Sequence, residues 1–214
     1  MESDLQAYFR HLAALGESIE ATGADGHAIR LQQATDWAIG RMRAGRQSGN
    51  SIVFVGNGGS AGIASHLAID YSVNGGFPAL AFNDAAALTC LGNDFGYEFV
   101  FSKQVEHHGR PGDLLFAISS SGNSQSILNA VAAARDARMH VLTLSGFSAD
   151  NQLRKMGDVN LYVPNSLYGL VEISHLAICH ALLDIAIGEV FGDLADGMHR
   201  EDAVVTFLRR TGSR

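Results

Sequence analysis

An α/β chain, with a parallel sheet covered on both faces, is the fold class this sequence predicts, and two observations carry it. Five short apolar runs, "SIVFVG", "PALAF", "DLLFAIS", "HVLTLSG" and "VNLYVP", are each bounded by glycine, proline, serine or aspartate, and helix-compatible stretches separate them. Within the runs apolar residues are consecutive rather than alternating, which marks strands hidden on both faces.

Taken in order, residues 3–23 and 27–46 show helical periodicity, with Leu5, Phe9, Leu12 and Leu15 on one face of the first, and "TGADG" reads as the breaker between them. The five strands and their helices follow. From Tyr168 to Val190, "YGLVEISHLAICHALLDIAIGEV" reads as one long helix, apolar almost all round and therefore hidden, most simply at a subunit interface. From Phe191 the chain is polar, with a weak amphipathic stretch near Val204–Arg209.

With 214 residues, 47% of them apolar and 17% charged, the chain is one domain with much of its surface covered. A net charge of −7 argues against nonspecific nucleic-acid binding. Lys103 and Lys155 are the only lysines, so no polybasic patch faces a membrane. "MESDLQAYFR" lacks the apolar core of a secretory signal, and no uninterrupted apolar run reaches membrane-spanning length. Cys90 and Cys179 lie in apolar segments without metal-type spacing and read as reduced core thiols of a cytoplasmic protein.

Two turns follow strands. In "VFVGNGGSAGIASHLAID", Gly56, Gly58 and Ala61 fit the G-x-G-x-x-A dinucleotide pattern, but no acidic residue stands about twenty positions on after a second strand. Neither lysine follows a glycine-rich turn, which excludes a Walker-type loop. No nucleotide cofactor is expected. The second turn, "LLFAISSSGNSQSILNAV", delivers Ser119, Ser120, Ser121 and Ser124 to a helix start, where unpaired N–H groups and a partial positive charge suit an anion. One serine would suffice for an N-cap; four offer enough neutral donors to hold a phosphate. Both loops leave the carboxyl ends of strands, so Asn57 and Ser60 face the crevice of the serine turn.

His66 and Asp70, four apart, share a helix face. Glu172, His175, His180 and Asp184 are polar positions in the greasy last helix, and burying a neutral polar group unpaired costs roughly 2–7 kcal/mol. They need partners. His175 and His180 diverge by roughly 140°, so they cannot serve one site; Glu172 can join either, and Asp184 stands one turn beyond His180. A carboxylate and an imidazole flanking a sugar carbonyl could move a proton between adjacent carbons, and two histidines with two carboxylates could hold zinc.

Together, "GNGGSAGIASHLAID", "FNDAAALTCLGNDFGYEFVFSKQVE", "GDLLFAISSSGNSQSILNAV" and "VEISHLAICHALLDIAI" resemble the sugar isomerase (SIS) domain family, and within it the phosphoheptose isomerases. The resemblance implies a flavodoxin-like three-layer sandwich with a five-stranded parallel sheet, preceded by a helical pair, in one domain over residues 1–192 with 193–214 as an extension. It implies a homotetramer with shared sites, and conversion of sedoheptulose 7-phosphate to an aldoheptose 7-phosphate (the manno form) through an enediol, on the way to nucleotide-activated heptose. By position, Ser119, Ser120, Ser121 and Ser124 would hold the phosphate. Asn57, Gly58, Gly59, Ser60, Asn93 and Asp94 would line the sugar, and His180 would be the catalytic histidine. His66, Asp70, Glu172 and His180 match residues that hold zinc in some members, one ion per subunit.

The sugar end departs from the family pattern. Asp70 stands where the family has its catalytic glutamate and Glu172 where better-known members have glutamine, so either could supply the base. Asn74 and Gly169–Leu170 replace charged residues that face the substrate. A non-catalytic SIS module that binds a phosphosugar or a protein, and an isomerase of another sugar phosphate, are the competing readings.

Overall fold

The computed structural model describes residues 3–188. The residue 193–214 extension and the end of the long helix at Val190 lie outside them. Seven strands form one sheet. Five are parallel and coincide with the five apolar runs: β3 (Ile52–Gly56), β4 (Ala79–Ala81), β5 (Leu114–Ser119), β6 (His140–Ser145) and β7 (Val159–Tyr162). They lie in the order β4-β3-β5-β6-β7, the flavodoxin-like arrangement, and the direction of winding reverses between β3 and β5.

The other two strands correct the expected N-terminal helical pair. Helix α1 (Asp4–Glu17) stops short of residue 23, and α2 (Leu31–Ser48) starts after residue 27. Between them β1 (Glu20–Gly23) and β2 (Ala28–Ile29) form a hairpin around "TGADG". Strand β1 pairs antiparallel with β7, from Glu20↔Tyr162 to Gly23↔Val159, so the hairpin covers what would otherwise be an open sheet edge. Helical periodicity in this stretch lost to that edge. Ala21 is buried against the sheet, and Ile19 and Ile29 pack beside it.

Alternation within the strands sends side chains to two cores. Ile52, Phe54, Leu114, Phe116, Ile118, Leu142 and Leu144 face α2, α3 (Gly59–Val73) and α7 (Tyr168–Ile187). Val53, Val55, Leu115, Ala117 and Val141 face α5 (Ser102–His108) and α6 (Gln125–Asp136), with α4 (Ala85–Phe95) at the margin. Tyr71 of α3 is fully buried against Phe54 and Phe116, and its hydroxyl donates to the Cys179 carbonyl of α7 at 2.7 Å. This bond ties the two site-bearing helices together.

Helix α7 is long and apolar enough, by length and composition, to cross a membrane. Here it is chiefly a core helix, with Leu170, Val171, Cys179, Leu182, Leu183 and Ala186 buried in the chain's own interior. It ends at Ile187, where Gly188 takes φ +94°. The cysteines part ways: Cys179 is buried, but Cys90 is exposed, because α4 carries no buried residue.

Candidate active site at the sheet's switch point

Strands β3 and β5 run side by side, Gly56 opposite Ile118, and their carboxyl ends open into the two turns. A pocket of about 250 Å³ lies there, lined by Asn57, Gly58, Gly59, Ser60, Ser119, Ser120, Ser121 and Ser124, together with Ile118, Tyr168 and Glu172. Two helix starts meet at it, α3 at Gly59 and α6 at Gln125. The Ser124 hydroxyl stands at the N-cap of α6 but makes no capping bond. Ser119 and Ser120 are buried, and the Ser120 Oγ has no hydrogen-bond partner among the described residues. A buried hydroxyl left unpaired costs about 1–3 kcal/mol, a cost that a bound polar ligand removes. Among the described residues, no lysine or arginine lines the pocket. Its attraction for an anion comes from hydroxyls and helix starts.

Glycines here have separate duties. A methyl at Gly56 would land 2.5 Å from the Ser60 carbonyl oxygen, so the strand-to-helix turn cannot close over a side chain. At Gly59 a methyl would land 2.5 Å from the Glu172 carboxylate. That glycine is where α7 brings an acid against the start of α3.

Asn57 is held from both sides of its amide: its Nδ2 donates to Ser126 Oγ at 2.9 Å, and its Oδ1 accepts from the Tyr97 hydroxyl at 2.8 Å. Tyr97 and Tyr168 escaped the sequence reading. Each is an exposed aromatic with no periodicity or motif to mark it, although "NDFGY" places Tyr97 directly after a glycine turn. Asn93 and Asp94 do not reach the pocket. They sit exposed on the last turn of α4, Asn93 Nδ2 donating to Asp94 Oδ1 at 2.8 Å.

Helices α3 and α7 run side by side, Gly59 against Glu172 at one level and His66 against His180 further along. At that second level His66, Asp70 and His180 bring one donor atom each within 4.8 Å of one another. Glu172 is not in this cluster, so the expected four-residue set separates into three residues along the helices and one in the pocket. His180 Nδ1 donates to Asp70 Oδ2 at 3.1 Å, so α3 supplies a carboxylate to its ring. The other Asp70 oxygen, Oδ1, accepts from Asn74 Nδ2. With its proton on Nδ1, a neutral His180 presents Nε2 as an acceptor, which faces His66 Nε2 at 3.2 Å.

The cluster suits a metal ion. Two imidazole nitrogens bound to one tetrahedral zinc at about 2.0–2.1 Å would lie about 3.3 Å apart, close to the spacing here. A carboxylate on the far ring nitrogen is the usual support for such a ligand. His175, five residues from His180, belongs elsewhere. It is fully buried, its Nε2 donates to the Ser145 carbonyl at 3.1 Å, and burial pushes its pKa down to about 4.

A family profile described as "SIS domain" matches residues 7–146. The phosphoheptose isomerase of Hamiltonella defensa is 39% identical over 188 residues, covering 85% of each chain. That of Sulfurimonas denitrificans is 40% identical over 147 residues, 66% of this chain and 75% of the relative. The solved phosphoheptose isomerase of Neisseria gonorrhoeae superposes with a TM-score of 0.74 at 34% identity, covering 86% of this chain and 96% of that one. With the fold, the serine pocket and these likenesses in agreement, the chain belongs to the phosphoheptose isomerases of the SIS domain family.

Proposed function

We propose that the protein interconverts sedoheptulose 7-phosphate and a D-glycero-heptose 7-phosphate, the manno form, by moving a proton between adjacent carbons. One observation carries this reading: a hydroxyl-rich pocket at the switch point lies beside two helices that present imidazoles and carboxylates. The phosphate sits on Ser119, Ser120, Ser121 and Ser124 at the start of α6, and Asn57, fixed by Ser126 and Tyr97, orients the sugar with Gly58, Gly59 and Ser60. The carbon chain then extends between α3 and α7 toward His180.

In the forward step a C1–H bond breaks, a carboxylate takes the proton, and the electron pair forms the C1=C2 bond as the C2 oxygen is protonated beside His180. The enediol collapses in reverse order. The proton returns at C2, the C1 hydroxyl loses its own, and C1=O forms. A zinc ion held by His66 and His180, with Asp70 supporting the His180 ring, would polarise the carbonyl as a Lewis acid.

Residues 1–192 form one SIS domain. A cytoplasmic homotetramer with shared sites is favoured by Ile69, Val73, Leu167 and Tyr168, all more than 60% exposed near the site, which a second chain would cover.

Incubation with sedoheptulose 7-phosphate in deuterated water, with and without a chelator, tests the function. An aldoheptose phosphate carrying one carbon-bound deuterium is the expected product. Binding of the heptose phosphate without any exchange would leave a phosphosugar-binding module and defeat the proposal.

A further inference from the structure

We infer that Tyr168 is a substrate-binding residue whose ring is the apolar wall on which the carbon chain of a bound sugar phosphate packs, and that Phe147 is the positioning residue behind it. This rests on the phosphosugar reading above and deepens it, by naming the group that reads the carbon chain rather than the phosphate.

Apart from Ile118 and Tyr168, the described residues that line the pocket are serines, glycines, Asn57 and Glu172. Ile118 is fully buried, so Tyr168, 63% exposed, supplies the accessible apolar surface and the pocket's aromatic ring. Hydroxyls and helix starts hold a phosphate whether or not carbon is attached to it. Carbon-bound hydrogens are apolar and slightly positive, and the face of an aromatic ring is apolar and slightly negative. A ring at this place therefore recognises what the hydroxyls cannot.

The chain holds the ring in position. Tyr168 is the first residue of α7, and Phe147 meets it edge-on, with ring centroids 4.7 Å apart and planes at 84°. Phe147 does so from a left-handed backbone, φ +56°, a region that bulky side chains seldom occupy. Its N–H donates to the Asn165 carbonyl at 2.9 Å, and its carbonyl accepts from the Tyr162 hydroxyl at 2.9 Å. The Asn165 side chain in turn accepts from the Leu167 N–H at 2.8 Å, one residue before Tyr168. Asn165 thus ties the two aromatic residues together. Phe147 also packs on Leu15, Val163, Leu170 and Val171, which anchors its ring to the interior. A glycine at 147 would take this turn without strain, so the aromatic side chain is what the strain retains.

Calorimetric titration with two probes, sedoheptulose 7-phosphate and inorganic phosphate, tests the inference. Tyr168→Ala should weaken the sugar phosphate about tenfold and inorganic phosphate by less than about twofold, and in turnover the loss should appear in KM rather than kcat. Tyr168→Phe keeps the ring and should bind the sugar phosphate within about twofold of wild type. Phe147→Gly accepts the turn but removes the backing ring, and should weaken the sugar phosphate about threefold while sparing inorganic phosphate. Thermal melts and size-exclusion chromatography confirm that each variant is folded and assembled as the wild type is. An equal loss for both probes in Tyr168→Ala would overturn the inference, because the ring would then serve the phosphate seat. Unchanged affinity for the sugar phosphate would overturn it too, as would a changed assembly state, which would give the ring to a subunit contact. Wild-type affinity in Phe147→Gly would overturn the positioning role. Wild-type protein that binds the heptose phosphate without proton exchange would defeat the isomerase reading alone.

Discussion

The anion end of the site and its sugar end are built from different materials. At the first, neutral hydroxyls stand at the end of a central strand, buried and fixed by backbone that the sheet cannot move. At the second, imidazoles and carboxylates stand on the facing flanks of α3 and α7, half-exposed and dependent on each other for orientation. The first end offers an anion hydroxyls and helix starts in fixed positions. The second works only while each proton sits on the right nitrogen, so it is the end where one methylene or one amide changes the chemistry. Two departures from the family pattern, Asp70 and Asn74, fall there, whereas Glu172 stands at the serine pocket.

The largest expected effect tests that division. His180→Ala should lower kcat about a thousandfold while KM stays within a few-fold, because the serine end keeps its grip. A KM rise equal to the loss in kcat would erase the distinction between the ends.

His175 sharpens the comparison from within one helix, since burial has removed it from the chemistry. Its pKa is depressed to about 4 in the folded state from an ordinary value of 6.5, so the unfolded chain binds the proton more readily. Stability is therefore fully present above about pH 6.5 and declines as pH falls toward 4. The contribution lost by pH 4.5 is about 2–3 kcal/mol. Urea unfolding at pH 7 and 4.5 should reveal that loss in the wild type and its absence in His175→Gln, in which the side-chain amide can still donate toward Ser145.

Smaller effects belong to the anion end. Ser120→Ala removes a buried hydroxyl without a partner, so the free protein should gain slightly in stability while the Kd for a sugar phosphate rises about tenfold. Calorimetric binding beside a thermal melt would separate the two signs. Tyr97→Phe removes the donor to Asn57 Oδ1 and should raise KM by about threefold with kcat unchanged, a loss of under about 1 kcal/mol for a neutral hydrogen bond.

Much of this architecture was legible. The consecutive apolar residues of Ile52–Gly56 and Leu114–Ser119 specify two-faced burial, and the serines after the second mark the candidate anion site. The five-residue spacing of His175 and His180 separates their roles by helical geometry alone. The hairpin at residues 20–29 was hidden, because its residues are compatible with a helix and only the waiting edge of β7 favours a strand. Asn93 and Asp94 read as sugar ligands by position, yet the chain leaves them on an exposed helix turn.

By itself, then, the sequence determined the five buried strands, the two turns and the residue types at each end, because period, turn chemistry and helical angle are local properties. Tertiary structure alone decided which acid faces the pocket and which faces the histidine. That choice depends on the lateral packing of α3 against α7, where Gly59 admits Glu172 and Asn74 occupies half of Asp70. No pattern within either helix encodes the distance between them.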